Sequence, residues 1–387
     1  MLTEEQRMIV DTAERVGQDF SLEYWRDLDA RKAFPEEFWQ AVCDAGLAGV
    51  ALDEAWGGAG LGMFEMALIL ETLSAAAGGS TVGQLFMLNP IFGGVAVQRF
   101  GSGEMKRELL PGLISGQINF CLALTEPDAG SNSLAISTTA RRAGSGWLLN
   151  GSKIWITGVP NAQKMLVVAR TTPIEDAKAR THGLSMFLID VVRPGLTHSP
   201  IEKLGTNTLP SSSVYFEDVE IGEHELLGTL DGGWKELLDV LNTERIVTTA
   251  GLIGTCDLAL RIAVEYANER RVFGKAPIAS YQGLQFPLAQ AHAEAEAARI
   301  MNRHAAQLFD AGQPYGSEAN IAKLIAAQAA STATERAMQV LGGMGFAKES
   351  HLERLWRDCR LFRFAPVSEE MILNYIATHD LGMARGY

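Results

Sequence analysis

The chain has 387 residues, 47% hydrophobic and 20% charged, enough apolar material for a large core divided among two or three packed units. A formal charge of −13 with scattered basic residues argues against nucleic acid or an anionic membrane as the main partner, so an anionic ligand needs a local basic site. The four cysteines, Cys43, Cys121, Cys256 and Cys359, are far apart and form no C-x-x-C pair, which argues against a disulfide framework or a zinc site and for a reducing cytoplasm. No metal site is expected, and neither an export leader, a bilayer-spanning apolar run nor a peroxisomal address at the terminal Ala-Arg-Gly-Tyr is read.

Residues 1–118 read as a helical domain. Thr3-Glu4-Glu5-Gln6 carries a capping signal, and Phe34-Pro35-Glu36-Glu37-Phe38 starts a second helix with proline in its first turn. Trp56-Gly57-Gly58-Ala59-Gly60 marks a loop, and helical spacing resumes from Met63 to Ala77. This third of the chain reads as scaffold whose second half could wall a pocket.

Residues 119–228 read as a compact β domain, with short alternating runs at 136–142, 147–149, 153–157, 165–170, 184–190 and 213–216 parted by turn residues. The stretch Leu122-Ala-Leu124-Thr125-Glu126-Pro-Asp-Ala-Gly-Ser131 begins as an apolar strand. It then breaks into a proline and glycine turn whose free N–H groups and hydroxyls suit a flat anionic cofactor. Asn150-Gly151 is a hairpin signal between Trp147-Leu148-Leu149 and Ser152-Lys153-Ile154. Beyond it, Trp155 and Thr157 share one face of a strand, an aromatic plane beside a hydroxyl.

Residues 229–387 return to the helical period, with long alanine-rich segments at 234–271, 282–310, 317–341 and 368–379 joined briefly, as in a four-helix bundle. Glu244 has Val240, Leu241, Val247 and Thr248 as its helical neighbours, so a carboxylate sits on a largely apolar face. Two readings stay open there: a glutamate paired with a base such as Arg245, or a carboxyl of raised pKa fit for general-base work. The cluster Glu269-Arg270-Arg271-Val272-Phe273-Gly274-Lys275 reads equally as a solvated helix end or a pyrophosphate holder. Gln339-Val340-Leu341-Gly342-Gly343-Met344-Gly345-Phe346 reads as a simple C-cap or as close backbone approach to a ligand.

Together and in this order these stretches resemble one family, the acyl-CoA dehydrogenases, FAD-dependent flavoproteins that desaturate acyl-CoA thioesters between the α and β carbons. The resemblance runs nearly end to end, through Thr3-Glu4-Glu5-Gln6, Leu124-Thr125-Glu126-Pro127, Trp155-Ile156-Thr157, Arg270 with Phe273-Gly274-Lys275, and Gln339 with Gly342-Gly343. It implies a mainly α fold: an N-terminal helical domain, a β-barrel-like middle domain and a C-terminal four-helix bundle, with FAD between the last two. It also implies a homotetramer, or a dimer, in which the adenosine end of each FAD reaches a neighbouring subunit.

By that resemblance Leu122, Leu124, Thr125 and Ser131 line the flavin, Ser131 also lies near the CoA moiety, Trp155 shields the isoalloxazine and Thr157 bonds its N5 edge. Arg270, Phe273, Gln282, Gln339, Gly342 and Gly343 match positions that hold pyrophosphate and adenosine across the subunit interface, although the chain is one residue longer than the common pattern between Lys275 and Gln282. Many members carry the catalytic glutamate in Glu-Gly-Thr-Ser-Glu before the last helix, where this chain has Ala365-Pro366-Val367-Ser368-Glu369. Alanine cannot take a proton. The isovaleryl and long-chain members instead place the glutamate on a bundle helix directly before an arginine, here Glu244-Arg245, which assigns the base to Glu244 and leaves Glu369 and Glu370 as bland acids.

The implied reaction has Glu244 remove the α-proton while the thioester carbonyl is held by hydrogen bonds, one from the Ala365 N–H, and the β-hydrogen passes to flavin N5. Asn242 and Arg245 sit near the CoA chain, an electron-transferring flavoprotein takes the electrons, and the base position favours a medium, long or branched acyl group. Two other readings remain: a relative with another flavin reaction (oxidase, hydroxylase, desulfinase or nitroalkane oxidation), or a non-catalytic helical assembly protein.

Overall fold

The computed structural model describes residues 2–274 and 276–384; Lys275 of the basic cluster and the terminal Arg385-Gly386-Tyr387 lie outside the described residues. The N-terminal region contains α1 (Glu4–Gln18), α2 (Leu22–Arg31), α3 (Glu36–Asp44), α4 (Met63–Leu73), α5 (Ser80–Phe86), α6 (Ala96–Phe100) and α7 (Gly103–Ile114). Thr3 forms the capping box with Gln6, and Pro35 stands one residue before α3 rather than inside its first turn. A π-helical stretch over Met87–Val95 links α5 to α6 and carries Pro90, which has no N–H to give.

The middle region is one curled eight-stranded sheet. Its strands are β1 (Phe120–Ala123), β2 (Thr139–Ala143), β3 (Gly146–Thr157), β4 (Lys164–Arg170), β5 (Leu184–Asp190), β6 (Leu196–Ile201), β7 (Ser211–Ile221) and β8 (Leu226–Leu227). They run in the order β6-β7-β3-β2-β4-β5-β8, with β1 parallel to β4. The two halves fold over a shared interior, where Trp147 of β3 meets Phe187 of β5 edge-on at 5.2 Å.

The hairpin expected at Asn150-Gly151 is not formed: Trp147 to Thr157 is one continuous strand. The reversal lies earlier, at Gly144-Ser145 between the paired Ala143 and Gly146, with Gly144 at φ +58°. Asn150 instead exchanges hydrogen bonds of 2.9 and 3.0 Å with Asp218 of β7, and Gly151, at φ +143°, marks a register shift. A Cβ at Gly151 would stand 2.6 Å from Thr138 Oγ1, so the glycine serves close strand approach and not a turn.

The C-terminal region is helical: α8 (Gly233–Glu269), α9 (Gln282–Asp310), α10 (Gly316–Leu341), α11 (Leu352–Arg360) and α12 (Glu369–Tyr375), the last running on as a π turn to Asp380. α11 is not among the helices expected above, although Leu352, Leu355, Trp356 and Cys359 recur at helical spacing along it. Alanines such as Ala259, Ala263, Ala295, Ala330 and Ala333 are fully buried in the seams, and their small size lets α8, α9 and α10 approach closely. Among the described residues two helical stretches, Ser80–Phe100 and Gly233–Glu269, are long and apolar enough to cross a membrane, but 94% and 83% of their apolar windows are buried inside the fold.

The helical regions meet along α8. A Cβ at Gly251 would stand 3.0 Å from the Gly83 Cα, so α5 and α8 touch backbone to backbone there. Glu71 of α4 pairs with Arg299 and Arg303 of α9 at 2.7 and 2.6 Å and locks the same junction.

Candidate active site

The turn after β1 is held from beneath by a buried ion pair. Glu126, 4% exposed, accepts from Lys153 Nζ at 2.9 Å, from the Ser137 N–H and hydroxyl at 2.7 Å each, and from the Thr138 N–H at 2.9 Å. Lys153 gives a further hydrogen bond to the Leu124 carbonyl, and the Ile154 N–H reaches the Thr125 carbonyl, both at 2.9 Å. Burial opposes charge on both partners. For Glu126, the Lys153 charge and the donated hydrogen bonds outweigh burial and lower its pKa to about 2, whereas burial lowers Lys153 to about 8 against the pull of Glu126. The loop from Leu124 to Ala129 is therefore anchored to β3 at its bulge.

At that bulge three steps along β3, from Lys153 to Ile156, span two steps along β7, from Val214 to Ser212. The extra residue is taken up around Trp155, which adopts φ +62° and stands 54% exposed while Ile156 is buried and Thr157 half-buried. Trp155 is thus exposed and Thr157 half-buried, as are Leu122, Leu124 and Thr125, while Ser131 is exposed; the Ile154 N–H bond to the Thr125 carbonyl sets the loop next to the bulge. An exposed indole, an anchored polar loop and a hydroxyl are a set of groups that fits a flat cofactor.

Glu244 is 1% exposed on α8, and the face it shares with Val247 and Gly251 packs against α5 at Gly83. Burial raises its carboxyl to about 7, partly opposed by Arg245, by the Thr248 hydroxyl donating at 3.0 Å and by Lys323. Lys323 of α10 is fully buried and donates to the Phe362 and Val367 carbonyls at 2.6 and 2.7 Å, fixing the segment before α12. Arg245 donates to the Asn242 side chain, and the Tyr315 hydroxyl joins Thr243 Oγ1 at 3.0 Å and the Asp239 carbonyl at 3.1 Å. Glu369 is paired with Arg363 through both carboxylate oxygens.

One expected role is corrected. The Ala365 N–H is spent on the Leu361 carbonyl at 3.0 Å, closing the turn that follows α11, so it is not free to hold a thioester oxygen.

Arg270, Phe273, Gln282, Gln339, Gly342 and Gly343 are all exposed. Arg270 follows the last residue of α8, ~39 Å along the helix axis from Glu244 at 1.5 Å per residue. Sequence reasoning does not find Lys203, Ser211 or Lys323, reads Thr248 only as a helical neighbour of Glu244 and Lys153 only as part of a strand; nothing in the spacing of these lysines announces an ammonium held inside the fold.

The chain matches three family models in turn: the acyl-CoA dehydrogenase N-terminal domain over residues 3–117, the middle domain over 121–219 and the C-terminal domain over 231–380. It is 38% identical to an acyl-CoA dehydrogenase of Mycobacterium tuberculosis, covering 95% of this chain and 94% of that one. To the human mitochondrial short-chain specific acyl-CoA dehydrogenase it is 34% identical, over 98% and 91% of the two chains. Among solved structures it is similar to a glutaryl-coenzyme A dehydrogenase in complex with glutaryl-CoA, at 29% identity and a TM-score of 0.94 over 100% and 97%. It is also similar to butyryl-CoA dehydrogenase from Megasphaera elsdenii, at 27% identity and a TM-score of 0.92 over 99% of each chain.

Proposed function

The chain belongs to the acyl-CoA dehydrogenase family, and from that premise we propose that it desaturates an acyl-CoA thioester to the trans-2-enoyl-CoA with Glu244 as the base. The observation that carries this reading is a fully buried carboxyl on the face of α8 that meets α5, its pKa raised by burial to about 7, with the competing Glu369 tied to Arg363. A carboxyl near pH 7 can take a proton without a large driving-force penalty. FAD is the cofactor of the family, and it supplies the acceptor for the β-hydrogen.

Leu122, Leu124, Thr125, Ser131, Trp155 and Thr157 are the residues we assign to the flavin, on the loop and bulge that Glu126 and Lys153 hold rigid. Asn242 and Arg245, one turn or less from Glu244, are assigned to the CoA chain together with Ser131. The acyl group assigned is medium, long or branched, on the position of the base. Electrons leave to an electron-transferring flavoprotein, and a cytoplasmic location suits four buried free cysteines. Anaerobic turnover of a panel of acyl-CoAs with an artificial acceptor tests the reading: enoyl-CoA products support it, whereas products formed only with oxygen point to oxidase or hydroxylase chemistry.

The distance between Glu244 and the exposed Arg270 group supports a homotetramer, or a dimer, in which Arg270, Phe273, Gln282, Gln339, Gly342 and Gly343 serve the FAD of a neighbouring subunit. Arg270→Glu sets a negative charge against the pyrophosphate and removes a charged hydrogen bond. FAD affinity should fall about 10- to 100-fold, read by flavin released on gel filtration, where the parent should elute as an oligomer. A monomer with full FAD content contradicts this.

A further inference from the structure

Lys203 lies between β6 and β7, and its ammonium donates to Thr206 Oγ1 at 2.8 Å, to the Leu209 carbonyl at 2.6 Å and to Ser211 Oγ at 3.2 Å. Ser211 is the register partner of Thr157 across the β3–β7 ladder, and their hydroxyls are 3.1 Å apart. Ser211 is buried, and among the described residues its hydroxyl meets only Lys203 and Thr157. An ammonium only gives hydrogens, and a hydroxyl has one to give. Ser211 Oγ therefore accepts from Lys203 and passes its own hydrogen to Thr157, the alternative being a buried hydroxyl hydrogen with no acceptor. The Thr157 hydrogen is then free to point away from the ladder.

We propose that Lys203 is a positioning residue that acts through Ser211 to make Thr157 a polarised hydrogen-bond donor toward flavin N5, and so sets the reduction potential of the bound flavin. This rests on the assignment of Thr157 to the flavin made above. Each link in a hydrogen-bond chain that ends on a cation polarises the next, so the Thr157 hydroxyl is a stronger donor than an isolated one. Oxidised N5 can accept that bond. Reduced N5 carries a hydrogen of its own and cannot, so the relay stabilises the oxidised flavin and lowers its potential. Burial lowers the Lys203 ammonium to about 8 against the pull of Asp358, which leaves it charged at neutral pH.

Ser211→Ala removes the relay while leaving the other two Lys203 bonds and every charge in place. It should shift the oxidised-to-reduced equilibrium about three- to tenfold toward reduced flavin, a rise of about 15 to 30 mV for a two-electron couple. Ser211→Thr, which keeps a hydroxyl, should hold the parent potential. Lys203→Met also removes a positive charge, which by itself lowers the potential, so its shift should be compared in the parent and in Ser211→Ala: the charge contributes equally to both and cancels, and the difference is the relay. An additive cycle, or a parent-like potential in Ser211→Ala beside a shifted one in Thr157→Ala, overturns the relay. If Thr157→Ala itself moves neither the potential nor the visible spectrum of the bound FAD, the placement of Thr157 at the flavin fails, and the inference with it.

Discussion

Glu244→Gln should keep FAD and bind acyl-CoA, yet its flavin should be reduced by substrate about 10²- to 10⁴-fold more slowly than in the parent, the usual worth of a positioned general base. The amide preserves shape and still accepts from Thr248, whose hydroxyl stands 3.0 Å from the carboxylate, so the pocket has no reason to rearrange. What is lost is the ability to take a proton. In the parent, burial holds the carboxyl at about 7, and only its ionised form is a base, so the reduction rate should rise as pH passes through about 7 and then level off. The residual rate of the variant should lack that step.

Stability separates chemistry from structure. Glu244 has a folded pKa raised from 4.5 to about 7, so between those values the folded chain keeps a proton that the unfolded chain gives up, and stability falls as pH rises across this window. The glutamine variant is free of that loss, and chemical denaturation above pH 7 should find it at least as stable as the parent. Stopped-flow bleaching of the flavin decides the role. Reduction at the parent rate places the base elsewhere, with Glu369 and Glu370 next to be replaced.

The order of helical and β regions, the long helices and the burial of Glu244 on an apolar helix face were legible because each leaves a periodic trace: Gln282–Asp310 and Leu184–Asp190 have in the structure the bounds their patterns predict. The β3 bulge was not legible, since Asn-Gly satisfies the demands of a hairpin turn and of a strand irregularity alike, and only the pairing of Asn150 with Asp218 selects between them. The buried lysines Lys153 and Lys323 and the half-buried Lys203 were invisible for a similar reason. Lys153, Lys203 and Lys323 lie among ordinary neighbours in sequence, and their partners stand 27 to 29, 3 to 8 and 39 to 44 residues away. Family resemblance located the Ala365 loop, but the chemistry of its amide depended on a local bond to Leu361 that no motif records.

Glu126→Gln should destabilise the protein by about 3 to 5 kcal/mol, because it strands the Lys153 ammonium, 1% exposed, with the Leu124 carbonyl as its remaining partner. A glutamine has one acceptor oxygen where the carboxylate serves four donors: Lys153, the Ser137 N–H and hydroxyl, and the Thr138 N–H. Its amide also turns donors toward donors. The loop from Leu124 to Ala129 should loosen on β3, so FAD should dissociate before the β sheet unfolds, read as free flavin fluorescence preceding the circular dichroism transition. Acid should reproduce the effect in the parent. The Glu126 pKa is lowered from 4.5 to about 2, so its contribution is complete above about 4.5 and fades as pH falls toward 2, and flavin release should track that window. Adding Lys153→Met to Glu126→Gln removes the stranded charge and should recover part of the stability while the loop amides stay unpaired, so flavin binding should recover less. If Glu126→Gln unfolds at the denaturant midpoint of the parent and retains its flavin, the ion pair is not what holds the loop, and the hydrogen bond from the Ile154 N–H to the Thr125 carbonyl becomes the anchor to test.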